Sequence, residues 1–505
     1  METEIELKFF VSPEFSSQLL RKISEFKILQ QSRRELGNVY FDTPDQILRQ
    51  YDIGLRVRRF DDVFVQTLKT AGRVVAGLHQ RPEYNAETNG TEPDLSLHPV
   101  AAWPDGFDLD QVQKQLNPLF STDFVRQQWL VAMPDGSQVE LAFDQGEVRA
   151  NGKTFPICEV ELELKSGQTD ALFTLARELC TEGGMRLGNL SKAARGYRLA
   201  ADYQGDMVKP LTSVHLNGDE SVEGVFVKTL EHALEHWHYH EQIFAERQEA
   251  TALEQIQQAL GLLRQSLVTF GGMIPRRASA LLRQELQWLE GELDWLSESA
   301  GIRYLLAEKG NALRKLDNRK ALMKQLEVRQ EDLPEPQETL QLIESARYCG
   351  LLLDLSRWIL SRGWQPFLDD KASARLADNA KGFADMMLAR SWQELLDVFP
   401  VERQLNRIDY LDQQPRLLRN LMSGLSFADL YDEEKRKLFR MPWLDLLQGI
   451  DDLRQLEPIR ALIALQDDEE ERRQVEKWLM RKEESLIHAM DQTRQIGIEL
   501  APYWP

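Results

Sequence analysis

Through its first two hundred residues the chain alternates. In "EIELK", Glu4, Glu6 and Lys8 fall on one side of an extended chain, and Ile5, Leu7 and Phe9 on the other. From Glu2 to about Arg198 the period is mainly two. It predicts strands at Glu2–Val11, Gly37–Phe41, Ile53–Phe60, Val63–Thr70, Leu78–Asn85, Phe124–Met133, Gln138–Glu147 and Phe155–Ser166. "PDGS" (Pro134–Ser137) and "ANGK" (Ala150–Lys153) read as hairpin turns, the second with an Asn-Gly pair suited to type I′ geometry. Helices are expected at Pro13–Phe26, Leu109–Leu116 and Asp170–Gly183. Sequential antiparallel strands with few crossover helices predict a barrel or strongly curled sheet. From about Ser221 the period becomes helical, with apolar residues at i, i+3, i+4 and i+7, interrupted at "GGMIPR", "EDLPEPQ" and "GWQPFLDD". The expected class is α+β: a β domain over residues 1–201, a linker over 202–218, and an all-α bundle over 219–505.

The strands carry unusual polar faces. Glu159, Glu161 and Glu163 share one face with Ile157, opposite Cys158, Val160, Leu162 and Leu164. Glu140 and Asp144 share a face; so do Arg56 and Arg58; so do His79, Arg81 and Glu83. Taken singly, each strand reads as half-solvated, its apolar face packed on helices. Taken together, acids cluster on some strands and bases on others, with few neutral polar residues between them. The alternative is a lumen lined with charge and an apolar outer face. Such an interior needs divalent cations against the acids and a polyanion against the bases. Hard carboxylate ligands suit Mg²⁺ or Mn²⁺, and arginine offers phosphate a two-pronged donor.

The chain has 505 residues and a net charge of −20, which argues against broad nucleic-acid binding but leaves room for a local basic site. Apolar runs are too short to cross a bilayer, and no secretory signal is read at the N-terminus. Cys158, Cys180 and Cys349 show no paired spacing, as expected of a reducing cytoplasm.

"EIELK" resembles the ExExK signature of the CYTH domain, shared by triphosphate tunnel metalloenzymes. "GLRVR", "QTLKT", "HQRPEY", "DFVRQQW", "AFDQGEV", "EVELEL" and "LSKAARGY" extend the likeness in order. The helical half resembles a CHAD domain, and the pair is similar to the bacterial YgiF-type inorganic triphosphatases. The resemblance implies an eight-stranded antiparallel β-tunnel with flanking helices that hydrolyses tripolyphosphate to pyrophosphate and phosphate. It implies two divalent ions, Mg²⁺ or Mn²⁺, held by Glu4, Glu6, Asp144, Glu161 and Glu163, with Glu83 as an additional ligand. Lys8, Arg56, Arg58, Lys69, Arg81, Arg126 and Lys192 would hold the triphosphate, and Lys8, Glu4 and Glu6 would serve catalysis. Glu159 is expected at the rim. No nucleic-acid or membrane partner is expected. The competing readings are thiamine triphosphate, nucleoside triphosphate or adenylyl cyclisation on the same tunnel, and a noncatalytic polyphosphate-binding adaptor.

Two features of the helical half need separate weighing. His232, His236 and His240 recur on one helical face at a spacing that can bind zinc or copper, but a packed face beside Trp237 and Tyr239 is the expected role. CHAD domains are associated with longer polyphosphate through a helix bearing a histidine and arginines. Here that helix has Glu254, Gln257, Gly261 and Leu262 in those places and retains Arg264.

Overall fold

The computed structural model describes residues 2–60, 63–464 and 468–505; Met1, Asp61, Asp62 and residues 465–467, which fall within the expected domain spans, lie outside the described residues. The chain divides into two compact units, Met1–Asp206 with Gln341–Arg362, and Met207–Leu340 with Gly363–Pro505.

In the first unit ten strands are found among the described residues: β1 (Glu2–Val11), β2 (Lys27–Asp42), β3 (Gly54–Phe60), β4 (Val63–Lys69), β5 (Arg73–Val75), β6 (Leu78–Thr88), β7 (Asn117–Ala132), β8 (Gln138–Ala150), β9 (Lys153–Ser166) and β10 (Met185–Leu187). Eight of them run in the order β1-β9-β8-β7-β2-β3-β4-β6, and β6 pairs back onto β1 to close the ring. Every pairing is antiparallel; β5 and β10 add short edges to β6 and β1. Closure removes the exposed sheet edge that an open sheet would offer to other chains.

Two strands begin well before their expected starts. β2 begins at Lys27 rather than Gly37, and β7 at Asn117 rather than Phe124. The stretch "KILQQSRREL" is largely exposed and lacks apolar alternation, so its extension comes from pairing with β7, not from a buried face of its own. The expected hairpin turn is found: Asn151 and Gly152 both take positive φ, 51° and 73°, as a type I′ turn requires.

The barrel turns its apolar side outward. Leu7 and Phe9 of β1, Val139, Leu141 and Phe143 of β8, and Val160 and Leu162 of β9 form one core with helices Phe15–Ile23 and Asp170–Leu179. Helix Ala346–Leu360, distant in sequence, adds Cys349 and Leu353 to that core. It is fastened by Arg357 to Asp170 at 2.6 Å and by Arg177 to Asp354 at 3.3 Å. On the inward parity, beside the charged rows, Tyr40, Phe120, Phe124, Val148 and Ile157 form a second cluster with Tyr197, on helix Lys192–Ala200. A Cβ on Gly196 would lie 2.0 Å from the Phe120 ring, so only glycine lets this helix seat so closely. Asp42, buried, accepts from the backbone N–H groups of Thr43, Leu48 and Arg49 and from the Tyr197 hydroxyl, tying that helix to the end of β2.

The second unit is helical. Helices Val222–Arg247 and Ala250–Thr269 lead it, the first capped by Ser221 Oγ accepting from Gly224 N–H. Phe226, Phe270 and Trp364 interlock at its centre. Residues 207–218 form no regular element; within this unit Val214 N–H donates to the Leu425 carbonyl and Leu216 N–H to Asp429. No described helix is long and apolar enough to cross a membrane.

Candidate active site

Strand register decides which charges meet inside the ring. Lys8 lies opposite Glu161, Glu6 opposite Glu163 and Asp144 opposite Glu159. Arg126 lies opposite Asp144, Arg56 opposite Tyr40, Arg58 opposite Asn38 and Lys69 opposite Glu83. A shift of one residue in any pair would turn that row outward, so the register that buries the apolar faces also assembles the site.

The inner end is a dense ion network. Arg126 grips Asp144 with two bonds, Nε at 2.8 Å and Nη2 at 2.6 Å, and reaches Glu161 at 2.7 Å. Lys192 Nζ lies 2.6 Å from Asp144 and 3.1 Å from Glu161 and also pairs with Glu159. Lys8 Nζ lies 2.7 Å from Glu161 and 2.8 Å from Glu6. Arg195 closes the network on Glu159. Asp144 is 0% exposed and Glu159 2%, so both charges depend on these partners. Burial pushes the Glu161 carboxyl up, but Lys192, Lys8 and Arg126 together hold it well below the usual range. Burial works against the Lys8 ammonium, and Glu161, Glu6 and Glu4 overcome it, holding its pKa well above the ordinary value.

Farther along, the balance fails on both sides. Burial and the neighbouring Arg56 and Arg126 push Arg58 down to about 9. Arg58 Nε donates to Asn38 at 2.7 Å, whereas the buried Nε of Arg56 has no acceptor. Glu163 is pushed up to about 7 by burial, with Glu4 and Glu140 adding repulsion that Lys165, 2.7 Å away, only partly offsets. Lys69 pairs with Glu4 and lies 2.9 Å from Glu83. Burial raises the Glu83 carboxyl, but Lys69 and Arg56 bring it down to about 2. Arg58 thus stands short of negative charge and Glu163 short of positive charge, whereas Tyr40, Glu83 and Glu4 outweigh burial at Arg56 and raise it.

A cavity of about 320 Å³ is lined by Glu4, Glu6, Lys8, Arg56, Arg58 and Lys69, among others. A neighbouring space of about 260 Å³ takes in Glu83, Glu140 and Glu163; Glu4, Arg56, Arg58 and Arg126 line both. All thirteen sequence-derived candidates therefore gather around one lumen, either lining it or bonded to residues that do: Glu4, Glu6, Lys8, Arg56, Arg58, Lys69, Arg81, Glu83, Arg126, Asp144, Glu161, Glu163 and Lys192. Arg81 is turned aside, with Nη2 2.6 Å from Asp52. Glu159 is not a rim residue; its carboxylate is buried between Lys192 and Arg195. Asp144, Glu159 and Glu161 bring carboxylate oxygens within 4.8 Å of one another.

Sequence reasoning passed over Tyr40, Asn38, Arg34, His79, Glu140 and Arg195 as site residues. Burial raises the Tyr40 hydroxyl, but Arg56 and Arg58 leave it below its ordinary range. His79 is pushed down to about 4 by burial and by Lys8, and its Nε2 is buried without a partner. Parity marked His79 and Glu140, which share faces with Arg81 and Asp144. Parity does not mark Arg195, which enters from a helix three residues after Lys192.

The histidine row of the second unit is a packed face. His232 Nε2 bonds to the Thr212 carbonyl, His236 Nε2 to Gln255, and His240 uses one nitrogen on the His236 carbonyl and the other on Lys209 N–H. Each ring thus spends at least one nitrogen on a hydrogen bond within the unit, and His240 spends both.

Residues 2–197 match the CYTH domain family and residues 228–464 match the CHAD domain family. An inorganic triphosphatase from Haemophilus influenzae is 41% identical over 202 residues, 40% of this chain and 56% of that relative. The chain thus spans little more than half the length of the curated relative it matches. Among solved structures, a Hippeastrum protein described as an adenylyl cyclase with dominant triphosphatase activity aligns at 20% identity, covering 39% of this chain and 96% of its own, with TM-score 0.29. The CHAD domain from Ricinus communis aligns at 18% identity, covering 58% of this chain and 97% of its own, with TM-score 0.45.

Proposed function

We propose, for a chain that joins a CYTH domain to a CHAD domain, that the barrel lumen binds inorganic tripolyphosphate and hydrolyses it to pyrophosphate and phosphate. The observation that carries this reading is the crowded arginine wall. Arg56 and Arg58 lie side by side under burial, one with an Nε lacking an acceptor and the other pushed down to about 9. A linear polyanion supplies the missing charge and acceptors along the lumen.

The facing carboxylates fit a divalent cation by donor chemistry and by their mutual repulsion. Glu163, pushed up to about 7 by burial and by Glu4 and Glu140, is the carboxyl whose charge is least compensated. Glu4, Glu6, Asp144, Glu161 and Glu163, with Glu83, would hold Mg²⁺ or Mn²⁺. When bound, such ions supply charge neutralisation and polarise phosphoryl oxygens.

The protein's own groups do the rest by positioning and electrostatics, which dominate phosphoryl transfer. Lys8, Arg126 and Lys192 serve as internal counter-ions of Glu6, Asp144 and Glu161. With a triphosphate in the lumen these three donors would turn to its phosphate oxygens, joining Arg56, Arg58 and Lys69. Glu4 and Glu6 then orient the attacking water, and Lys8 stabilises charge developing on the phosphoryl group. Burial of Lys8, Asp144 and Lys192 inside the ring strengthens the interactions among them.

Supporting a cytoplasmic location, Cys158, Cys180 and Cys349 are free thiols. The domain organisation 1–201, 202–218 and 219–505 belongs to the same reading. The helical unit acts chiefly as a stabilising module. On helix Ala250–Thr269, Arg264 pairs with Glu290 and Glu254 with Arg303, so longer polyphosphate finds both charges of that helix already neutralised. The test is phosphate release from tripolyphosphate, thiamine triphosphate and ATP with Mg²⁺ or Mn²⁺, with cyclic AMP measured in parallel. Preferred hydrolysis of tripolyphosphate is expected; preference for either organic triphosphate, or cyclic AMP formation, overturns the reading.

A further inference from the structure

The lumen row on β3 ends in a way that phosphate binding alone does not explain. Residues of one parity read Arg58, Arg56, Gly54, Asp52, and all four line the 320 Å³ cavity. Two arginines are followed by a position with no side chain. A Cβ built on Gly54 meets nothing within 4 Å. Beyond this open step stands a carboxylate. Asp52 occupies the turn before β3 with φ 54°, a conformation that aspartate and asparagine tolerate better than most residues. It holds Arg81 Nη2 at 2.6 Å and lies 3.8 Å from Arg49 Nη1. The cavity's other acids, Glu4, Glu6 and Glu161, belong to the carboxylate rows of β1 and β9, whereas Asp52 stands outside those rows, against Arg49 and Arg81.

We propose that Asp52 is a specificity-determining residue that limits the length of the phosphate chain the lumen accepts. This rests on the triphosphatase reading above. Three phosphates fill the stretch served by Lys192, Arg126, Arg58 and Arg56. A fourth, continuing past Gly54, meets the Asp52 carboxylate and finds Arg81 and Arg49 already partnered. Like charge and lost donors both act against the longer chain, while tripolyphosphate stops short of them. In each hydrolysis, water forms the new P–O bond as a bridging P–O bond breaks, the departing phosphate keeps the bridging oxygen, and the released proton passes to solvent.

The experiment compares kcat/KM for tetrapolyphosphate and tripolyphosphate in the full-length chain with Mg²⁺, for the parent and Asp52→Asn. Asparagine keeps the shape and the backbone conformation and removes the charge. The expected result is that the tetrapolyphosphate-to-tripolyphosphate ratio rises by about tenfold, the scale of one unit charge at a partly solvated mouth. Asp52→Gly, which also accepts positive φ, must move the ratio in the same direction. An unchanged ratio in folded variants that still cleave tripolyphosphate overturns the role of Asp52 and leaves the triphosphatase reading standing. A parent chain that cleaves neither substrate removes that reading, and this inference with it.

Discussion

Glu161→Gln is the most informative single change, because Glu161 is where the two halves of the charge pattern join. Its carboxylate accepts from Lys8 at 2.7 Å and Arg126 at 2.7 Å, and lies 3.1 Å from Lys192. Glutamine keeps the shape and removes the charge. Breaking a buried ion pair outright costs about 3–5 kcal/mol. Here each cation keeps another carboxylate: Lys8 has Glu6, Arg126 has Asp144, and Lys192 has Asp144 and Glu159. The expected loss is therefore smaller, about 2–3 kcal/mol, the scale of one or two charge-assisted bonds. For a unit of this size that lowers the barrel's Tm by roughly 4–12 °C. The fold survives. Metal-dependent phosphate release falls much further, by about 10²–10³-fold, the scale of removing one preorganised charge from a water-excluded site. Two assays separate the effects: thermal unfolding with and without MgCl₂, and phosphate release from tripolyphosphate. Added Mg²⁺ raises the Tm of the parent by preferential binding to the folded state, and this rise shrinks in the variant. A folded variant with Mg²⁺-stimulated turnover within about tenfold of the parent would refute Glu161 as a cation ligand.

Arg56→Ala and Lys69→Ala remove donors from the phosphate wall, and steady-state kinetics with tripolyphosphate are expected to show a raised KM; an unchanged KM contradicts the assignment. Gly196→Ala drives a methyl into the Phe120 ring and costs about 1–3 kcal/mol. It also displaces the helix that carries Lys192, so chemical denaturation and kcat shift together. His98 is buried and accepts from the Gln66 amide at 2.8 Å, which requires a neutral ring; burial pushes it down to about 4, with Asp94 offsetting only part. Between pH 6.5 and 4 the unfolded chain binds a proton that the fold refuses, so stability falls as pH drops through that window, by at most about 1.4 kcal/mol per pH unit. His98→Gln should lose less stability than the parent over the same range in denaturant titrations, and equal losses would count against this role.

Alternation alone determined much of this protein. A period of two with acids on β1, β8 and β9 and bases on β3 was enough to predict a barrel or strongly curled sheet and to mark which charges share a face, because side-chain parity is a local property of an extended chain; the thirteen site residues followed from the resemblance of the ordered motifs to the CYTH domain. The direction of each face was not local. A single strand such as Gly54–Phe60 reads equally well as half-solvated, and ring closure between β1 and β6 makes its arginines interior. Helix Ala346–Leu360 packing on the barrel core was likewise invisible, since nothing in a helical period says which distant surface it covers. The sequence left Glu159 ambiguous, one step beyond the matched pair. Register with Asp144 and the approach of Arg195 from a separate helix decide its burial. Parity tells which residues share a face, but only the closed ring and the elements packed on it set the neighbours and dielectric around each charge, and those decide which carboxylates stay ionised and which arginines await an anion.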